Sequence, residues 1–146
     1  MSKTKVLIVD DEPDYLSLMQ ERIGFWGYEV ILAQDGKSAL AIIKEELPDI
    51  VILDYFMPGM DGVEVLRRIR KFDKKIPVIM FTAHAEIKNI KGAQELGVSA
   101  FIPKLSTYST DIQASLRSVL AMTQKKLRKV KGKIWIKKEY WLWMMK

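Results

Sequence analysis

The chain has 146 residues, no cysteine and one histidine, and its 24 Lys and Arg against 18 Asp and Glu give a formal net charge of +6. That length fits one globular domain with a core that needs no covalent staples. The lack of Cys excludes a disulfide framework, a thiolate nucleophile and a Cys-based zinc site, and His84 alone excludes the usual His cluster for a metal, so any chemistry falls to oxygen and nitrogen groups.

Along the chain, short apolar runs alternate with stretches of helical spacing. The first run, 6–9, reads as a strand. Pro13 then suits the first turn of a helix whose Leu16, Met19 and Ile23 share a face, with Gly24 and Gly27 where it should end. A second strand, 28–32, precedes a helix over 37–46 with the stripe Ala39, Ile42 and Ile43, stopped before Pro48. The third strand, 50–53, leads to a helix that begins after Asp61 and Gly62 and turns Val63, Leu66 and Ile69 inward. The strand 78–81 is followed by a helix over 85–96 that stops at Gly97. The strand 100–102 is followed by a fifth helix starting near Thr110, with Ile112, Leu116, Val119 and Leu120 inward.

Near-continuous apolarity in the strands suits burial on both faces. Five strand and helix pairs in alternation predict an α/β domain with a doubly wound, five-stranded parallel sheet, right-handed crossovers and helices on both faces. Ligands of such sheets bind beyond the carboxyl ends of the strands, where the strand order reverses.

The residues at those ends carry the chemistry. The first strand runs into Asp10, Asp11 and Glu12, the third ends at Asp54, the fourth at Thr82, and Lys104 follows the fifth. Three carboxylates brought together repel, and a divalent cation removes the conflict, since Mg²⁺ takes oxygen ligands from one or two carboxylates, waters and a phosphate oxygen. Singly, these acids have a plainer reading, with Asp10 and Asp11 as helix caps and Asp54 as the start of a turn. Capping alone does not account for acids, a hydroxyl and an ammonium at the ends of four core strands.

Four segments in order carry a family resemblance: Val9-Asp10-Asp11-Glu12, Leu53-Asp54-Tyr55-Phe56-Met57-Pro58-Gly59-Met60-Asp61-Gly62, Phe81-Thr82-Ala83 and Phe101-Ile102-Pro103-Lys104. Over about residues 4 to 124 the chain resembles the receiver domain of two-component response regulators, CheY-like and flavodoxin-like in fold. The resemblance implies a cytoplasmic phosphoacceptor switch in a histidine-to-aspartate phosphorelay, with a sensor histidine kinase or phosphotransfer protein as donor. It implies that Asp54 accepts the phosphoryl group, and that Asp11 ligates Mg²⁺ directly while Asp10 acts largely through metal-bound water. The backbone carbonyl of Phe56 is then the third protein ligand. Lys104 holds one phosphoryl oxygen and Thr82 bonds another. Phe101, by the same resemblance, is expected to be the switch aromatic, which turns inward and reshapes the surface of helix four, strand five and helix five.

Pro58, Gly59, Asp61 and Gly62 form a turn over the site, with Asp61 able to cap the third helix; the plain reading is a loop without chemistry. Phe101 likewise has a plain reading as a core aromatic. The sequence departs from the family at Lys104, where Leu105 stands in place of the usual proline after a lysine on a cis peptide. A non-proline cis bond costs roughly 2.5 to 4 kcal/mol, so the Lys104–Leu105 bond is trans or strained. Phe56 and His84, each two residues beyond a functional position, flank the approach of the hydrolytic water in the family. A bulky Phe56 predicts slow self-dephosphorylation, and His84 reads first as an exposed loop residue and second as a group that orients a water or a kinase group. The reading from another class is a Mg²⁺-dependent phosphohydrolase with an aspartate nucleophile; against it, Phe56 stands where an acid would protonate the leaving group.

The charge is unevenly placed. Residues 125–146 hold nine Lys and Arg against Glu139, a net +8, and three of the four Trp (Trp135, Trp141, Trp143); residues 1–124 net −2. The chain divides into a receiver body, 1–124, and a basic aromatic extension of the last helix or linker stub, 125–146. In the extension Leu127, Val130, Ile134, Lys137, Trp141 and Met144 follow a three-four spacing, a helical seam interrupted by Gly132. Pairing with a second chain, as a homodimer through helices four and five or the tail, or packing on its own domain ranks first among its uses. Contact with an anionic membrane surface ranks second and nucleic acid third. No apolar run reaches the roughly 18 residues of a membrane span, and the run before Asp10 is too short for a signal peptide.

Overall fold

The computed structural model describes residues 3–82, 90–103, 114 and 116–129. Five parallel strands, β1 (Lys5–Val9), β2 (Glu29–Ala33), β3 (Ile50–Asp54), β4 (Val78–Thr82) and β5 (Ala100–Pro103), form one sheet in the order β2-β1-β3-β4-β5. Between them run α1 (Pro13–Phe25), α2 (Gly36–Glu46), α3 (Gly62–Phe72) and α4 (Ile90–Glu95). Residues 116–129 form a further helical stretch.

The strand alternation divides the core in two. Leu7 and Val9, Val51 and Leu53, and Val78 and Met80 face α2, α3 and α4, packing with Ala39, Ile43, Val63, Leu66, Ile69 and Ala93. Val6 and Ile8, Ile50 and Ile52, and Ile79 and Phe81 face the other way, onto Leu16, Met19 and Ile23 of α1 and Leu116 and Leu120 of the 116–129 helix. Burying a Leu, Ile or Val contributes about 1.5–3 kcal/mol, so both layers contribute to holding the sheet. Both helical layers expected from the spacing are present. The expected start of α4 and Ile112 lie outside the described residues.

Burial on both faces holds for β1 and β3 but not for β2, where only Ala33 is buried. The order explains it: β2 lies at a sheet edge and is covered less completely than the strands between.

The helix ends follow local chemistry. α1 starts at Pro13, runs past Gly24, and stops where the Trp26 N–H bonds Arg22 O and Ile23 O and Gly27 takes φ +98°. α2 begins one residue before the expected 37 because the Asp35 carboxylate accepts from the Ser38 N–H at 2.7 Å. Asp61 caps α3 as expected, accepting from the Glu64 N–H at 2.8 Å.

Candidate functional site

The order β2-β1-β3 places the topological reversal between β1 and β3, so the residues leaving those strands open onto one crevice. Val9 is registered with Leu53, which brings Asp10 and Asp11 beside Asp54. Carboxylate oxygens of Asp10, Asp11 and Asp54 all lie within 4.8 Å of one another. Asp10 and Asp54 are only 2% and 5% exposed, whereas Asp11 stands toward solvent.

Backbone bonds fix the approach of each group. The Asp10 N–H donates to Ala33 O at 3.1 Å, and its Oδ1 accepts from the Glu12 N–H at 3.0 Å. The N-cap of α1 is Glu12, which makes no side-chain cap bond, so capping does not account for the acids before it. Beyond β3, the Tyr55 N–H donates to Phe81 O at 3.0 Å and the Gly62 N–H to Tyr55 O at 2.8 Å, tying the exit of β3 to β4 and to the start of α3. The Phe56 N–H lies 3.4 Å from Asp54 Oδ1, and its ring packs edge-on against Tyr55 with 48% of the residue exposed. Gly59 takes φ +81°, the left-handed backbone that the turn over the site requires.

Tyr15, on the first turns of α1, was not singled out from the sequence. Its ring lies 5.9 Å from Phe81, and burial, followed by the charges of Asp10, Asp54 and Glu12, drives its phenol far above the usual range. The phenol therefore stays protonated beside the acids. The signal was available: position 15 falls one helical turn after Asp11, on the face turned to the sheet.

The donor set can be tested against Mg²⁺. An octahedral ion with ligands at about 2.0–2.1 Å places opposite oxygens about 4.2 Å apart. At most one pair among three ligands can be opposite and adjacent ones lie about 2.9 Å apart, so three oxygens within 4.8 Å of one another would meet one ion by drawing closer together or in part through water. All three donors are hard oxygens, which suits Mg²⁺ and not a soft metal.

The structure brings Asp10, Asp11 and Asp54 together and places Phe56 next to them. Thr82 ends β4 in register with Pro103 on β5. The Thr82 side chain, His84, Lys104 and the Lys104–Leu105 peptide lie outside the described residues. Phe101, on β5 opposite Met80, is half-buried against the layer of α2, α3 and α4.

A doubly wound α/β domain with an acidic cluster at its switch point is the class that fold and site define together. Residues 6–117 match the response regulator receiver domain family, and the chain belongs to it. It is 40% identical over 104 residues to sporulation initiation phosphotransferase F of Bacillus subtilis, covering 71% of this chain and 84% of that protein. It is also 40% identical over 124 residues to a probable transcriptional regulator, ycf27, of Guillardia theta, covering 85% of this chain and 48% of that one. The chain thus spans about half the length of the ycf27 relatives it matches. Among solved structures, a receiver domain protein from Clostridium thermocellum superposes with a TM-score of 0.78 at 26% identity, covering 87% of this chain and 98% of that one. The response regulator TrrA of Thermotoga maritima, in complex with Mg²⁺-BeF, superposes with a TM-score of 0.70 at 30% identity, covering 80% and 98%. Among the described residues no helix is long and apolar enough to cross a membrane.

Proposed function

We propose that the chain is a cytoplasmic phosphorelay switch in which Asp54 takes a phosphoryl group from a phosphohistidine of a sensor kinase or phosphotransfer protein. The observation that carries this reading is the gathering of Asp54 with Asp10 and Asp11 at the switch point of a receiver fold. An Asp54 oxygen attacks phosphorus, the new O–P bond forms as the P–N bond to the histidine breaks, and the imidazole departs with the electron pair. Such transfers need positioning and charge neutralisation more than covalent help. Asp10, Asp11, Asp54 and the Phe56 carbonyl are the residues that would hold Mg²⁺, which when bound supplies that neutralisation.

The chain's own residues do the rest. The Tyr55 and Gly62 backbone bonds hold the exit of β3, and with it Asp54, in place. Lys104 and Thr82 take the roles the family gives them, on two phosphoryl oxygens. Phe101, half-buried on β5, turns further inward when Thr82 is drawn to the phosphoryl group, changing the surface of α4, β5 and the helix after it. That surface regulates a partner, which can be a second copy of the chain. Half-exposed Phe56 restricts water near the acyl phosphate, and His84 modulates the same approach. The chain acts on no separate metabolite and catalyses only its own phosphorylation and slow dephosphorylation.

Incubation with Mg²⁺ and acetyl phosphate should yield one acid-stable, base-labile phosphate, absent in Asp54→Asn. Rapid turnover of phosphate esters in place of a stable phosphoprotein would overturn the reading in favour of a phosphohydrolase.

A further inference from the structure

β4 lies between β3 and β5, and its central residue, Met80, is registered with Leu53 on one side and Phe101 on the other. All three turn to the face that α2, α3 and α4 cover, where Met80 is fully buried and Phe101 half-buried. The sulfur end of Met80 reaches toward the site. A Cβ at position 62 would stand 3.1 Å from Met80 Sδ and 2.5 Å from Asp54 O, so the thioether and that carbonyl flank one point at the start of α3. The same point is tied to the exit of β3 by the Gly62 N–H, which donates to Tyr55 O at 2.8 Å.

The residue type matters at this position. Leu7, Val9, Val51, Leu53 and Val78, the large strand residues that share the layer, are branched, and Val is stiff at χ1. Met is unbranched with three rotatable bonds, so it refills a space that changes shape, and its sulfur favours aromatic rings. A packed interior has little slack, and a ring that turns inward beside a branched neighbour meets a clash. Among the described residues β5 has a strand partner on one side only, and opposite Phe101 that partner is Met80. Ala93 of α4, fully buried in the same layer, is too small to take up the change.

Resting on the role proposed for Asp54, we propose that Met80 is a positioning residue that joins the two ends of the switch. As Phe101 turns inward, the Met80 side chain gives way and its thioether repacks against Gly62, at the carbonyl of Asp54. The link is reciprocal, so whatever holds Phe101 inward favours the phosphorylated site.

The test uses the full chain with isotopically labelled methionine methyls, the Met80 resonance being assigned with Met80→Leu, a volume-conserving change that keeps the fold. When Mg²⁺ and acetyl phosphate label Asp54, the Met80 methyl resonance should move, and that of Met19, in the opposite layer, should stay. In Phe101→Leu, which has no ring to turn, the Met80 response should be lost while Asp54 still takes phosphate. Labelling rates give a second readout. Met80→Leu combined with Phe101→Leu should depart from the product of the separate effects by about twofold or more, as contacting residues do. Phe101→Leu combined with Ile8→Val, in the opposite layer, should multiply. A Met80 methyl that stays still in the labelled wild type, or rates that multiply for both pairs, would overturn the proposal and leave Met80 an ordinary core residue. A wild type that takes no phosphate on Asp54 would overturn the Asp54 reading itself, and this link with it.

Discussion

Gly62 lies directly against the carbonyl of Asp54: a Cβ at position 62 would stand 2.5 Å from Asp54 O and 2.9 Å from Tyr55 Cα. Both neighbours are backbone and cannot swing aside, so the helix that follows the site packs on the strand that ends in Asp54 only because residue 62 has no side chain. Gly62→Ala should lose about 1–3 kcal/mol through overpacking, despite the better helix propensity of Ala. Gly24, in α1, meets nothing within 4 Å, and Gly24→Ala should gain up to about 1 kcal/mol. Urea denaturation of both variants checks the contrast, and slower labelling of Asp54 in Gly62→Ala checks that the displacement reaches the site.

The acidic cluster predicts a stability that depends on Mg²⁺. A ligand that binds only the folded chain stabilises it by about 2.7 kcal/mol at a hundredfold excess over its dissociation constant. Thermal melting of the wild type should therefore shift upward with added Mg²⁺ and return on chelation. Asp11→Asn removes the most solvent-facing of the three acids and should abolish most of the shift. An equal shift in the variant would place the ion elsewhere.

The cap of α2 titrates in acid. The Ser38 amide, then its hydroxyl, hold the Asp35 carboxyl below the usual carboxylate range. Because the folded value is the lower one, this contribution is complete above the unfolded value of about 3.9 and is lost as the pH falls through the folded value. Asp35→Ala should cost about 1 kcal/mol at neutral pH, and Asp35→Asn, which can cap the same amide, much less. The gap between wild type and Asp35→Ala should close as denaturation is repeated at falling pH. Asp35 is exposed, so salt should weaken the charge-dependent part of the gap.

The parts of the molecule read from sequence and the parts missed differ by the range of the interaction. Asp10, Asp11 and Asp54 were found because parallel strands carry their terminal residues to one edge, a rule that needs only strand positions. The two-layer core was found for the same reason, from periodicity within single elements. The Asp35 cap carried a local signal, an acid three residues before Ser38, that the helix start at 37 overlooked. The hold of Arg70 on the turn after α4 carried no local signal, since Leu96 and Gly97 are far from it in the chain and meet it only through the packing of the fold. Weak burial of β2 likewise depends on strand order, which apolar content does not encode.

Under the proposed function, Phe56 obstructs the water that would end the signal. Its amide faces Asp54 and its ring is half-exposed beside Tyr55, where an attacking water would gain from a polar neighbour. Phe56→Asn supplies one hydrogen-bonding group, about 1 kcal/mol if it acts on the transition state, and so a decay about fivefold faster. The decay of labelled protein after removal of acetyl phosphate measures it. An unchanged or slower decay would remove Phe56 as an obstruction.

Arg70 braces the far side of the domain. From the end of α3 its guanidinium donates to Leu96 O at 2.7 Å, Ile76 O at 2.8 Å, Gly97 O at 3.1 Å and Asp73 O at 3.2 Å. One planar fork thus gathers the exit of α3, the entry of β4 and the turn between α4 and β5. Burial pulls its pKa below the usual arginine value, with the charge of Asp73 opposing, yet a guanidinium remains charged at any working pH. Removing it leaves four carbonyls to find water in a half-buried setting, so Arg70→Ala should cost about 2–3 kcal/mol. Arg70→Lys should recover only part, because one ammonium cannot span four carbonyls on three segments. Hydrogen exchange offers the sharper test: in Arg70→Ala the amides of Leu96, Gly97 and Val98 should exchange faster, while those of β1 and α1 slow or quicken only with global stability. If exchange rises evenly across the chain, Arg70 contributes bulk stability and does not hold this end of α4.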